Sequence, residues 1–155
     1  GTGNTASFQT NLIYDNPVSA GFNVVFEPAH WNFTGQLTFG LNDQSGSNTP
    51  VNRYPRMRYC IMLDANAVKI WEFGVLKTTI TLAYNQMMHF RIYSKYNNST
   101  GVYDVYYYYS VNNMTSWTLI YTSLNTHNGT TLFYGDFATQ GGYYAKFRAP
   151  LLQQL

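Results

Sequence analysis

Seven acidic residues are the first candidates for chemistry: Asp15, Glu27, Asp43, Asp64, Glu72, Asp104 and Asp136. Cleavage of a glycosidic bond uses two carboxylates flanking the scissile bond, one as acid and one as base or nucleophile. One β-strand can carry both only at i and i+2 or i+4, because alternate side chains share a face. No two of the seven lie within five residues of each other. A one-strand dyad is therefore excluded, and only a pair assembled from separate strands could do this work. The three histidines, His30, His89 and His127, have no partner at zinc-ligand spacing. His89 falls in a strand-like run and reads as structural or exposed. His30 and His127 fall in loop-like stretches and are expected to be solvated. The chain has neither a Gly-x-Ser-x-Gly elbow nor a phosphate loop. The single cysteine, Cys60, lies in the apolar run Tyr59-Cys60-Ile61-Met62-Leu63, so no internal disulfide forms and a buried, inert thiol is expected. Asn42, Asp43 and Asn48 offer hard oxygens of the kind calcium takes, but such clusters are ordinary turn chemistry. No catalytic residue, metal or cofactor is expected.

Binding needs other groups, and the chain supplies them. Pro50-Val51-Asn52-Arg53-Tyr54-Pro55-Arg56-Met57-Arg58 holds three of the nine basic residues. Two prolines stiffen this stretch, which lowers the ordering cost on binding. Arg53 and Arg56 present paired planar donors, Tyr54 a ring and Asn52 an amide; together they form the expected ligand-binding loop. Trp31, in Glu27-Pro28-Ala29-His30-Trp31-Asn32, is either a neighbouring platform or a ring folded back over the end of the domain. In the run Tyr106-Tyr107-Tyr108-Tyr109, alternate residues face opposite ways on a strand. One pair is expected in the core. The other, with Tyr93 and Tyr103 near it in the pattern, forms either an aromatic contact surface or an ordinary wet sheet face.

The elements that must position these residues are strands. Apolar and polar residues alternate over 7–13, 22–26, 36–41, 57–63, 68–73, 88–93, 102–109, 117–121, 132–137 and 143–147. These runs are rich in Val, Ile, Thr and aromatics, which suit a pleated, half-buried surface. Clusters of Asn, Asp, Ser and Gly separate them, as at 42–50, 64–66, 97–101, 112–113, 125–129 and 140–142. No segment keeps a helical period. About ten short strands imply an all-β, antiparallel two-sheet sandwich. With no repeat, linker or composition break, residues 1–155 read as one domain, with residues 1–6 disordered or added. The opening Gly1-Thr2-Gly3-Asn4 suggests a processed or excised fragment.

Composition narrows the class. Charged residues are 10% and aromatics 18% of the 155 residues, the opposite of a disordered chain. No apolar run is long enough to cross a bilayer as a helix. A formal net charge of +2 gives little electrostatic drive toward nucleic acid or an anionic membrane. Abundant Asn, Thr and Tyr with few Lys suit an extracellular or cell-surface setting.

One set of motifs is more specific. Arg58-Tyr59-Cys60-Ile61-Met62-Leu63 is followed, after a tight turn, by Val68-Lys69-Ile70-Trp71-Glu72-Phe73-Gly74. After a short strand come Phe90-Arg91-Ile92, then Val105-Tyr106-Tyr107-Tyr108-Tyr109, and then Trp117 to Ser123. Gly40-Leu41-Asn42 precedes them all. This order resembles the concanavalin A-like (laminin G-like) jelly rolls of bacterial surface proteins and phage-type fibres. Phe73 stands where that family favours Asn, and His89 where it favours Asp. The resemblance implies two stacked antiparallel sheets and a non-catalytic, lectin-like module that binds glycans or cell surfaces, as an adhesin or fibre tip. Two alternatives stand beside it: a structural tip that assembles as a homotrimer, and a glycoside-cleaving enzyme.

Overall fold

A computed structural model describes residues 6–9, 18–26, 36–43, 57–64, 66–82, 88–131, 133–140 and 145–154. Within them lie eleven strands: β1 (Ala6–Gln9), β2 (Val18–Phe26), β3 (Gln36–Asn42), β4 (Tyr59–Asp64), β5 (Ala67–Glu72), β6 (Val75–Thr81), β7 (Met88–Asn97), β8 (Val102–Ser110), β9 (Thr118–Thr122), β10 (Tyr134–Gln140) and β11 (Ala145–Gln154). The described residues contain no helix. One sheet runs β1-β10-β3-β4-β5-β6 and the other β11-β2-β7-β8-β9. All pairings are antiparallel. The all-β two-sheet expectation therefore holds.

Period-two alternation builds the core. Leu37, Phe39 and Leu41 of β3, Tyr59, Ile61 and Leu63 of β4, and Val68 and Ile70 of β5 face Phe90, Ile92, Val105 and Tyr107 of the other sheet. Phe39 and Phe90 meet across the layers with ring centroids 5.6 Å apart. Phe133 joins the same cluster. Tyr59, Ile61 and Leu63 of β4, Val68 and Ile70 of β5, and Phe90 and Ile92 of β7 are all fully buried. Burying a large apolar side chain contributes roughly 1.5–3 kcal/mol, and this core has to suffice, since the lone Cys60 is a buried free thiol.

Two local features depart from simple alternation. Phe73 is not a strand residue: Phe73 and Gly74 have φ of 49° and 76° and close the β5–β6 hairpin. A two-residue turn whose twist matches the strands wants positive φ at both central residues. Glycine accepts that freely, whereas phenylalanine does so at a steric cost. Gly40 lies opposite Cys60, and a Cβ there would stand 2.1 Å from the Tyr59 carbonyl oxygen. Only glycine lets β3 and β4 approach so closely.

The topology gathers some loops at one end. Asn42, Tyr59 and the β5–β6 turn share it with the Asn97–Val102 turn and residues 123–131. The opposite end holds Phe26, Gln36, the β4–β5 turn and residues 111–117.

Candidate functional site

The outward face of the five-stranded sheet concentrates groups suited to binding. Inward parity belongs to Phe90 and Ile92 on β7 and to Tyr107 and Tyr109 on β8. The opposite parity turns Arg91, Tyr93, Tyr106 and Tyr108 outward. Register sets Arg91 beside Tyr108, Tyr93 beside Tyr106, and Lys95 beside Asp104. Ring centroids of Tyr93 and Tyr106 are 6.5 Å apart, and those of Tyr106 and Tyr108 are 6.3 Å apart. Both pairs are inclined by 31°. The Arg91 guanidinium carbon sits 4.3 Å from the Tyr93 ring centroid and 5.8 Å from that of Trp117. A register shift between Tyr107 and Tyr108 against β9 puts Tyr121 opposite Tyr107 and Leu119 opposite Tyr108. The bulge leaves Tyr121 packed on the core while Leu119 stays exposed outside.

Polar groups border the rings. Asn97 Nδ2 donates to Asp104 Oδ2 at 2.8 Å. Desolvation raises the Tyr106 pKa above the usual phenol value, and the Asp104 charge and its hydrogen bond push the same way. The face thus joins flat aromatic surfaces, phenolic hydroxyls, a stacked guanidinium and a carboxylate. Such a set can hold a molecule that has both C–H faces and hydroxyl groups.

A second constellation ties the loop end together. Arg58 Nη1 donates to Asp43 Oδ2 at 2.7 Å, and Nη2 donates to the Thr126 carbonyl at 2.9 Å. Tyr59 Oη donates to the Asn125 carbonyl at 3.1 Å. The fully buried Glu72 carboxylate accepts from Tyr107 Oη at 3.0 Å and from Asn125 Nδ2 at 2.5 Å. Burial pushes the Tyr59 phenol up to about 12, with Arg58 pulling it back. Burial and the Glu72 charge hold Tyr107 well above the phenol range. His127 corrects a sequence expectation: it is not solvated but 3% exposed. Its ring stacks on Tyr103 at 5.0 Å and meets the edge of Phe133 at 4.9 Å. Burial lowers its pKa below the usual imidazole value. A loop carries it, so strand alternation gave no sign of its burial.

Asn52, Arg53, Tyr54, Arg56 and Trp31 all lie outside the described residues. The base of the segment carrying Asn52 to Arg56 is described: Asp43 and Arg58, on either side of it, form the ion pair above, and Phe73 N–H donates to the Met57 carbonyl at 3.1 Å. Phe26 and Gln36, which flank the Trp31 segment, belong to the opposite end of the sandwich. Asp43, weighed above as a calcium ligand, engages Arg58, and among the described residues no cluster of three His, Cys, Asp or Glu could hold a metal. Tyr103 does not join Tyr93. It shares parity with Tyr107 and stacks on His127 instead. Arg91 is the member of the outward face that pattern reading missed. The alternation of Arg91 with Phe90 and Ile92 could have flagged the arginine.

No protein-family model and no curated protein sequence matches the chain. Among solved structures, it is similar to the winged bean acidic lectin in complex with methyl-alpha-D-galactose. That match has a TM-score of 0.54 and 10% identity, and covers 97% of this chain and 80% of that one. Sheep galectin-11 in complex with glycerol matches at a TM-score of 0.40 and 9% identity, over 96% of this chain and 98% of that one. At such identities the likeness concerns the backbone alone. The sheet order and the lectin match together establish a concanavalin A-like jelly-roll fold.

Proposed function

We propose that the protein is a non-catalytic, lectin-like module that binds carbohydrate, at the cell surface or outside the cell, through the outward face of its five-stranded sheet. The observation that carries this reading is the block of Arg91, Tyr93, Tyr106, Tyr108 and Trp117, with its clustered, mutually inclined rings and stacked guanidinium. Aromatic faces attract the C–H groups of a sugar ring, and the bordering polar groups meet its hydroxyls. Four acids support a binding role over a catalytic one, because their carboxylates engage structural partners: Asp43 with Arg58, Asp64 with Lys69, Glu72 with Tyr107 and Asn125, and Asp104 with Asn97. Arg53, Tyr54, Arg56 and Asn52 enter the reading as a second contact, in the segment between Asp43 and Arg58, which pair with each other.

A glycan array probed with the parent protein, a Tyr106→Ala/Tyr108→Ala variant and an Arg53→Ala/Arg56→Ala variant tests the assignment. The tyrosine pair should lose at least tenfold in binding, and the arginine pair less. Full retention by the tyrosine variant moves the site to the basic loop, and silence of the parent protein on every glycan sinks the reading.

One observation favours a second role, as an oligomerising tip. The edge strand β6 exposes Val75 and Leu76, and an exposed apolar edge is a template for pairing with another chain. A monomeric mass in solution at high concentration would remove that role.

A further inference from the structure

The aromatic face also sets a shape and a length for what it holds. Resting on the carbohydrate-binding reading above, we infer that the ligand is a single, soluble, linear glycan chain, gripped along consecutive sugar units parallel to β8 rather than by its terminal sugar.

Planar groups occupy three successive levels along the strands. Trp117, just before Thr118, which pairs with Tyr109, forms the first. Tyr108 with Arg91 forms the second, and Tyr106 with Tyr93 the third. Beyond the third level the face turns polar, with Lys95 beside Asp104 and Asn97 bonded to that carboxylate. Tyr106 and Tyr108 are 6.3 Å apart, close to the roughly 6.8 Å that two strand residues advance. A step of that size is somewhat longer than one unit of an extended pyranose chain, so the three levels together span a run of about three sugars.

The ring angles choose between kinds of chain. The 31° inclination between neighbouring rings fits one chain that can twist to follow them. A crystalline polysaccharide face is flat and would need coplanar rings. Arg91 is already held against Tyr93 and Trp117, so its planar donors lose little freedom when a sugar docks. Donors at the second level and the Asp104 acceptor past the third then bracket the chain.

Calorimetric titration with soluble oligosaccharides of one to six units tests this. The probes are β-1,4-linked glucose, xylose and N-acetylglucosamine, and β-1,3-linked glucose. In at least one series, affinity should rise about two- to tenfold for each unit added up to three, one for each aromatic level, and then level off. Trp117→Ala should bring the trisaccharide down to the affinity of the disaccharide. Microcrystalline cellulose and chitin should not retain the protein. Equal affinity for monosaccharide and trisaccharide, a Trp117→Ala loss that is the same at every length, or retention on a crystalline polymer overturns this inference and leaves the carbohydrate reading standing. The same holds if the parent binds only branched or terminal-sugar glycans on the array. Silence of the parent on both the oligosaccharides and the array overturns both.

Discussion

The outward faces of the two sheets treat water differently. On β3 and β4 of the six-stranded sheet, Thr38, Asn42, Cys60 and Met62 point away from the core and are nonetheless buried. Along the middle of β7 and β8 of the five-stranded sheet, Arg91, Tyr93, Tyr106 and Tyr108 point away and stay half-exposed, while His89 and Ser110 at one end of the same face are buried. The inward faces of both strand pairs contribute apolar and aromatic side chains to the same core. Alternation therefore tells which face meets the partner sheet, and the outward residue types tell whether the second face stays wet. Small and apolar groups permit close cover on β3 and β4, whereas phenols and a guanidinium keep a polar end available for solvent or ligand.

The largest effect is expected where the covered face is tightest. Gly40→Ala would place a methyl group 2.1 Å from the Tyr59 carbonyl oxygen and 2.9 Å from the Cys60 Cα. Both atoms are backbone, so relief requires β3 and β4 to separate. Urea unfolding should show a loss of about 3 kcal/mol or more, at the upper end of what single substitutions cost. A loss under about 1 kcal/mol would mean that these strands part easily and that the covered face is not tightly specified.

Next comes the layer between the sheets. Glu72 is buried on β5 and bonds Tyr107 of β8 and Asn125 of the loop end. Glu72→Ala strands a buried hydroxyl and an amide, at a cost of about 2–3 kcal/mol, while Glu72→Gln keeps an acceptor and should cost less. If the two substitutions are equally harmful, the carboxylate charge matters more than the hydrogen bonds.

Much of this was legible in the sequence, and the exceptions share a cause. Period two identified ten of the eleven strand regions, because strand parity is a local property. It also paired Tyr106 with Tyr108 against Tyr107 with Tyr109. What stayed hidden depends on contacts distant in sequence. His127 is buried by Phe133 and by Tyr103, which lies far from it in sequence. Phe73 continued the alternation and so read as strand, yet the hairpin's twist made it a turn residue. Tyr103 was placed with Tyr93 by proximity, although parity already put it with Tyr107. The expected basic loop falls outside the described residues, and the outward aromatic face took its place as the candidate site.

A smaller effect should appear with acid. Burial lowers the His127 pKa below 6.5, so the folded protein favours the neutral ring and the unfolded chain takes up the proton first. The resulting stability is present above pH 6.5 and is lost as pH falls from there through the folded-state value. Unfolding midpoints measured between pH 7.5 and pH 5 should decline, and His127→Phe should flatten that decline. An unchanged slope in the variant would assign the acid sensitivity to other groups.

The smallest effect on stability belongs to the open face. Tyr106 and Tyr108 are half-exposed, and the ring contacts they make lie with Tyr93 and with each other. Cross-strand aromatic pairs of this kind contribute roughly 0.2–1 kcal/mol. Tyr108→Ala should therefore cost less than about 1 kcal/mol of folding stability, a fraction of the Gly40→Ala cost on the opposite sheet. The same substitution should weaken glycan binding by about two- to tenfold, the worth of one aromatic contact. Urea unfolding and calorimetry on a single preparation separate the two quantities. A large binding loss with intact stability marks a face kept open for a ligand. If Tyr108→Ala instead costs 2 kcal/mol or more, the tyrosines hold the sheet together. The contrast between the two outward faces would then be one of packing rather than of function.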